Sequence, residues 1–164
     1  KKVLMGLTAL CACFFATAAE PEKAPLKVLV VTGGHDFEEA PFRAIFTEMP
    51  GIAPTFFVLQ DDSEIFEDIS DWKYDIVVFY HMTQKISEKR KENFLALLDK
   101  GVGFVLLHHS IAAYNDWPEY WKILGARYFL QEAREGDTVY PQSTYAHDMD
   151  FKITPADPNH PVTK

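Results

Sequence analysis

Residues 26–36 read Leu-Lys-Val-Leu-Val-Val-Thr-Gly-Gly-His-Asp: a Val-rich apolar run that breaks at Gly33-Gly34 and delivers His35 and Asp36. A near-continuous apolar run of this length marks a strand covered on both faces, as in a parallel sheet. Two more runs end the same way. Asp75–Tyr80 leads into His81, and Gly103–Leu107 leads into His108-His109. Thr55–Leu59 is a further strand of the same kind.

Between these strands lie segments of crossover length. Phe37–Met49 has apolar residues near a helical period, with Pro41 suited to its first turn and Pro50-Gly51 as its stop. Asp61–Asp71 is acidic and reads as a short helix or ordered loop. Ser87 can cap a helix whose stripe is Phe94, Leu95, Leu97 and Leu98, ended by Gly101. The β-α-β-α-β-α-β spacing predicts an α/β fold with a doubly wound, mostly parallel sheet. Beyond it, Asp116-Trp117-Pro118-Glu119 carries an acidic cap with Glu three residues on, predicting a helix to Leu124. Ala126–Leu130, Thr138–Tyr145 and Met149–Ile153 read as shorter, more exposed strands.

The N-terminus has a different character. Lys1-Lys2, the apolar run Val3–Phe15 and Ala16-Thr17-Ala18 form the pattern of a signal peptide over residues 1–19. The run is too short to span a bilayer, which takes about 20 apolar residues. Leu10-Cys11-Ala12-Cys13 admits a lipoprotein reading, which the continuing Phe14-Phe15 disfavours. Residues 20–25 read as a flexible leader and 26–164 as one domain, with the C-terminus expected to be truncated because no closing element follows His160-Pro161-Val162-Thr163-Lys164. These readings imply a secreted or periplasmic protein with no transmembrane helix in the mature chain. Cys11 and Cys13 are the two cysteines, so cleavage after Ala19 removes every thiolate nucleophile or ligand. With 24 acidic against 16 basic residues there is no basic stripe for a phosphate backbone, which argues against nucleic acid.

Ligands of open parallel sheets bind at the carboxyl ends of the strands. Four of the six histidines fall there. His35 and His108 are the leading catalytic candidates and His109 the next, as general bases near neutral pH. Gly33, Gly34 and Asp36 form a candidate ligand loop, where glycines permit close approach and helix N–H groups favour an anion. The absence of G-x-G-x-x-G and of a Walker lysine leaves a nucleotide weakly supported. His81 is expected to wall the crevice. Ser110 is a poor nucleophile candidate, because sequence neighbours seldom have triad geometry. Tyr114, Trp117, Tyr120 and Trp121 could stack on a sugar ring, with Trp117 as the ligand-binding candidate. His35, His108 and His147 could contribute to a divalent metal site such as zinc, although no fixed metal motif is present. No cofactor is required by the pattern.

The stretches VLVVTGGHDFE, YDIVVFYHM, GVGFVLLHHSIAAYNDWPEYWKILGARY and HDMDFKITPADPNHPVTK resemble the ThuA-like (trehalose utilisation) family, within the class I glutamine amidotransferase-like superfamily. The resemblance spans nearly all of residues 26–164. It implies a flavodoxin-like sheet and a role in disaccharide or keto-sugar catabolism, with a small-molecule saccharide as partner; a homo-oligomer is also compatible. The amidotransferase relatives use a cysteine at the strand-to-helix turn. The predicted mature chain has none, so glutaminase chemistry is not carried over. The expectation is an exported protein acting on a saccharide by histidine acid/base chemistry, with metal assistance as an option. If an enzyme, it is of carbohydrate-active hydrolase or lyase type; the alternative is a non-catalytic sugar-binding or accessory module.

Overall fold

A computed structural model describes residues 23–60 and 62–163. The signal peptide and its lipoprotein alternative, with the first half of the leader, lie outside the described residues. Four strands, β1 (Leu26–Gly33), β2 (Ile52–Val58), β3 (Ile76–His81) and β4 (Gly103–Leu106), form a parallel sheet in the order β2-β1-β3-β4. Helices α1 (Glu39–Thr47), α2 (Glu88–Asp99) and α3 (Pro118–Leu124) accompany it. The α/β class and the flavodoxin-like strand order therefore stand as expected. In that order the chain reverses its direction of growth between β1 and β3, so their carboxyl ends flank the topological switch point.

Strand alternation divides the core in two. Val28, Val30 and Val78 face α1, where Phe46 covers them. Leu29, Val31, Val77 and Phe79 face the other way, onto Phe94 and Leu97 of α2 and onto Tyr114, Trp117 and Tyr120. The central strands β1 and β3 are buried on both faces, which is why they read as unbroken apolar runs. β2 is an edge strand with alternating exposure, and it carries Pro54. A missing ladder N–H is tolerated at an edge.

Local signals set the helix ends. Ser87 Oγ accepts from the Arg90 N–H at the start of α2. At α3 the expected cap is corrected: Trp117 is the N-cap residue, Pro118 follows it, and no side chain caps the helix. Pro118 fits there because the first helical N–H has no partner to lose.

Of the three weak strands, Thr138–Tyr145 stands in its first three residues, and the other two are corrected. Ala126–Leu130 is not a strand. The Arg127 guanidinium lies 3.5 Å from the centroid of Trp121 and donates to the Asn115 carbonyl at 2.8 Å, while the Tyr128 N–H donates to the Ile111 carbonyl. Side-chain anchoring replaces ladder pairing. A small hairpin, β5 (Ala133–Glu135) with β6 (Thr138–Tyr140), turns at Gly136-Asp137. Met149–Ile153 alternates as a strand should, yet it pairs with no described residue, and Phe151 is 79 % exposed. A strand without a partner has no ladder to hold it. Among the described residues no helix is long and apolar enough to cross a membrane.

Candidate functional site at the carboxyl end of the sheet

Gly33 and Gly34 leave β1 with φ of 133° and 78°, where L side chains are strained. A Cβ on Gly33 would meet the Leu59 carbonyl oxygen at 2.6 Å, and one on Gly34 would meet the Met82 carbonyl carbon at 2.8 Å. The loop is thus pressed against the chain leaving β2 on one side and β3 on the other. That packing aims His35 across the end of β3. Its Nε2 lies 3.1 Å from the Tyr80 carbonyl oxygen and its Nδ1 3.2 Å from the Asp36 carbonyl oxygen. Carbonyls only accept, so a neutral His35 ring satisfies one of them and the imidazolium satisfies both.

The His35 ring stacks on His109, with centroids 3.9 Å apart and planes 13° from parallel. Tyr80 meets both rings edge-on, at 4.6 Å and 5.4 Å, and Phe37 closes the outer side of His35. Three carboxyl ends therefore supply one cluster at the switch point. Burial holds His109 below the usual histidine range, and the neighbouring His35 and His108 push it the same way. Its Nδ1 is buried without a partner. With the proton on Nδ1, Nε2 presents a lone pair outward, as a general base requires.

His108 is exposed at the start of a 3-10 turn (His108–Ala112), with φ 25°, and meets His109 edge-on at 4.5 Å. The structure thus pairs His35 directly with His109, and His108 flanks them.

His81 goes elsewhere. Tyr80 takes the α1 face, so the next residue points to the opposite face, where His81 is 0 % exposed between Phe79 and Tyr114. Neither ring nitrogen has a partner, and burial pushes its pKa down to about 3. The expected crevice wall is instead a core residue. Trp117 lies apart from the histidines: at 4 % exposure it packs on Phe94, Tyr114 and Tyr120, and it borders a separate hollow of about 570 Å³ with Lys85, Arg90 and Lys91. Tyr114 and Tyr120 are buried too, which raises their phenolic pKa values. The aromatic group is the core beneath α3.

Ser110 Oγ donates to the Phe79 carbonyl at 2.8 Å, and the Tyr120 hydroxyl donates to the Ser110 carbonyl. The hydroxyl is buried and committed to the fold. Ser110→Ala is expected to lower stability by about 1 kcal/mol and to leave ligand binding unchanged, as read by denaturant titration beside calorimetry. A loss of function without a loss of stability would contradict this assignment.

His147 is exposed and meets only Tyr145 edge-on, at 5.4 Å, among its aromatic neighbours. Among the described residues no group of three His, Cys, Asp or Glu side chains is placed to hold a metal ion. His35 stacks on His109, with His108 beside them, and His147 meets none of these rings among its aromatic contacts.

A cleft of about 930 Å³ opens beside the cluster, over the ends of β1 and β2. His35, Asp36, Phe37, Gln60, Asp62 and Lys85 are among the residues that line it. Two smaller hollows lie nearby, one of about 570 Å³ lined by residues that include Lys85, Arg90 and Tyr114, and one of about 390 Å³ against Gly34, Met82, Gln84 and Leu130. Sequence reasoning missed Tyr80, Gln60 and Lys85. Tyr80 was accessible in principle, because it is the last α1-facing residue of β3. Gln60 and Lys85 carry no signal, since the fold alone brings their loops together.

The family model described as ThuA, trehalose utilisation, matches residues 27–164. No curated protein matches the sequence. Among solved structures, the chain is similar to a thua-like protein from Parabacteroides merdae, with 20 % identity and a TM-score of 0.49. That likeness covers 73 % of this chain and 48 % of the other, so the chain spans about half the length of the structure it matches.

Proposed function

The chain belongs to the trehalose-utilisation (ThuA) family, and from that premise we propose that it binds and transforms a saccharide at the carboxyl end of its sheet, with His109 as general base and His35 as its partner. Membership implies a role in carbohydrate utilisation; the chemistry is the reading offered here. The observation that carries it is the His35–His109 stack at the switch point, beside a polar cleft that His35 itself lines. Burial and two neighbouring histidines keep His109 neutral, so its outward Nε2 can take a proton from a sugar hydroxyl or from the carbon next to a keto group. The imidazolium that forms lies face to face with His35, and two stacked cations repel. The pair therefore favours one shared positive charge, suited to passing a proton through His109 and returning it.

Glutamine amidotransfer is not part of this reading, because the turn after β4 carries His108-His109-Ser110 in place of a cysteine. The segment Lys1–Ala19 supports export, which N-terminal sequencing of the protein recovered from culture fluid or periplasm would check.

The test is calorimetric titration with trehalose and its keto derivative, followed by product detection by NMR, with and without a chelator to read any metal contribution. His109→Ala is expected to lower turnover by about 10²–10⁴ fold while binding persists. Because the His109 pKa is depressed, the base stays competent on the acid side of 6.5, and the acid limb of the rate profile is expected there. Saccharide binding without turnover, unmoved by His109→Ala, would favour the accessory module. That outcome has its own support, since both His35 nitrogens already face backbone carbonyls. Absence of any saccharide binding would overturn the proposal.

A further inference from the structure

A general-base histidine is ordinarily aimed by a hydrogen bond on its second ring nitrogen, which fixes tautomer and orientation together. His109 has no such bond. Its Nδ1 is buried without a partner, so packing has to set the direction of the outward Nε2. Three rings touch it: His35 at 3.9 Å, His108 at 4.5 Å and Tyr80 at 5.4 Å. His108 is exposed and is a poor brace. The stack on His35 resists tilting, but a face-to-face pair slides easily, because aromatic rings favour offset and edge-on contacts over it.

Tyr80 is the contacting ring that is itself fixed. Its backbone pairs with Thr32 of β1, its ring stacks on Phe42 of α1 at 4.7 Å, and Phe37 meets it edge-on at 5.3 Å. It meets both imidazoles edge-on, His35 at 4.6 Å as well as His109. Its carbonyl oxygen lies 3.1 Å from His35 Nε2, so one residue restrains both members of the pair.

We infer that Tyr80 is a positioning residue: its ring, backed by Phe42, takes the place of the missing orienting hydrogen bond and holds His109 on the face of His35. The inference rests on the histidine-base reading above and deepens it. The ring makes these contacts and the hydroxyl is not needed for them. Phenylalanine therefore preserves the arrangement, whereas leucine keeps the position apolar without a flat ring.

Two measurements on Tyr80→Leu, Tyr80→Phe and Phe42→Leu test it. The first is the nuclear Overhauser contact between the His35 and His109 ring protons, which needs no ligand. It is expected in the wild-type chain and in Tyr80→Phe, absent in Tyr80→Leu, and weakened in Phe42→Leu, where Tyr80 loses the ring behind it. The second is turnover of the keto derivative of trehalose. Tyr80→Leu is expected to lower kcat by about 10–100 fold with KM little changed, and Tyr80→Phe to restore it.

A ring contact that persists in Tyr80→Leu overturns the inference. So does a Tyr80→Phe variant as impaired as Tyr80→Leu, since the hydroxyl would then be the acting group. If Tyr80→Leu does not fold, Phe42→Leu decides: an unweakened contact there overturns the inference. If the wild-type chain turns over no saccharide, the functional reading fails, while the ring contacts still decide whether Tyr80 positions His109.

Discussion

His81→Leu is expected to make the protein markedly more resistant to acid. The wild-type imidazole is fully buried with both nitrogens unpartnered, and its folded pKa is depressed from 6.5 to about 3. Above pH 6.5 the ring is neutral in both folded and unfolded chains and adds no pH dependence. Between 6.5 and about 3 the unfolded chain binds a proton that the folded chain refuses, so stability falls as pH falls. Below that window both states are protonated and the loss is complete. A shift of this size corresponds to a loss on the order of 4–5 kcal/mol, comparable with the whole stability of many domains. Leucine offers no proton site and removes two unsatisfied polar atoms, so it is expected to be neutral or stabilising at pH 7 as well. Urea titrations of both proteins between pH 7 and pH 4 give the answer as a difference. The depressed carboxylates Asp62, Glu67 and Asp68 are common to both and cancel. Parallel curves across that range would show that His81 is not the buried neutral base described.

Gly34→Ala carries the second large effect. Gly34 is exposed, and exposure alone would predict tolerance. Its φ of 78° and the Met82 and Thr83 backbone atoms within 2.9 Å of a Cβ predict the reverse. Backbone atoms in the middle of a sheet edge cannot swing aside as a flexible side chain can. The strained conformation and the overlap together are expected to cost about 3 kcal/mol or more. Gly33→Ala is expected to be at least as severe, with the Leu59 carbonyl oxygen at 2.6 Å. Thermal unfolding reads the stability, and the near-ultraviolet dichroism of Tyr80 and Phe37 reads displacement of His35. If either variant melts within about a degree of wild type, a shift too small for a cost of this size, the loop is not clamped between β2 and β3.

Much of the sheet is legible in the chain because burial on both faces leaves a one-dimensional mark. Val28–Val31 and Ile76–Phe79 had to be central strands, since nothing else explains an apolar run with helical spacers on each side. The carboxyl-end placement of His35, His81, His108 and His109 follows from the same runs. Alternation also separates Tyr80 from His81 before any coordinates are known.

What alternation leaves open is which face the ligand side uses. That depends on where α1 and α2 pack, a question of contacts distant in sequence. Only the packed molecule puts His81 against Phe79 and Tyr114, and His109 rather than His108 on the face of His35. Trp117 shows the same limit, because an aromatic residue in a sequence window has the same composition whether it faces a cleft or Phe94. The segment after α3 exposes the limit most plainly. Ala126–Leu130 and Met149–Ile153 have strand-like composition, and a strand exists only where a neighbour accepts its hydrogen bonds. The sequence by itself determined the family, the parallel sheet and the sheet edge at which its histidines gather. Tertiary structure decided which imidazoles meet there, because two faces of one strand differ only in what packs against them.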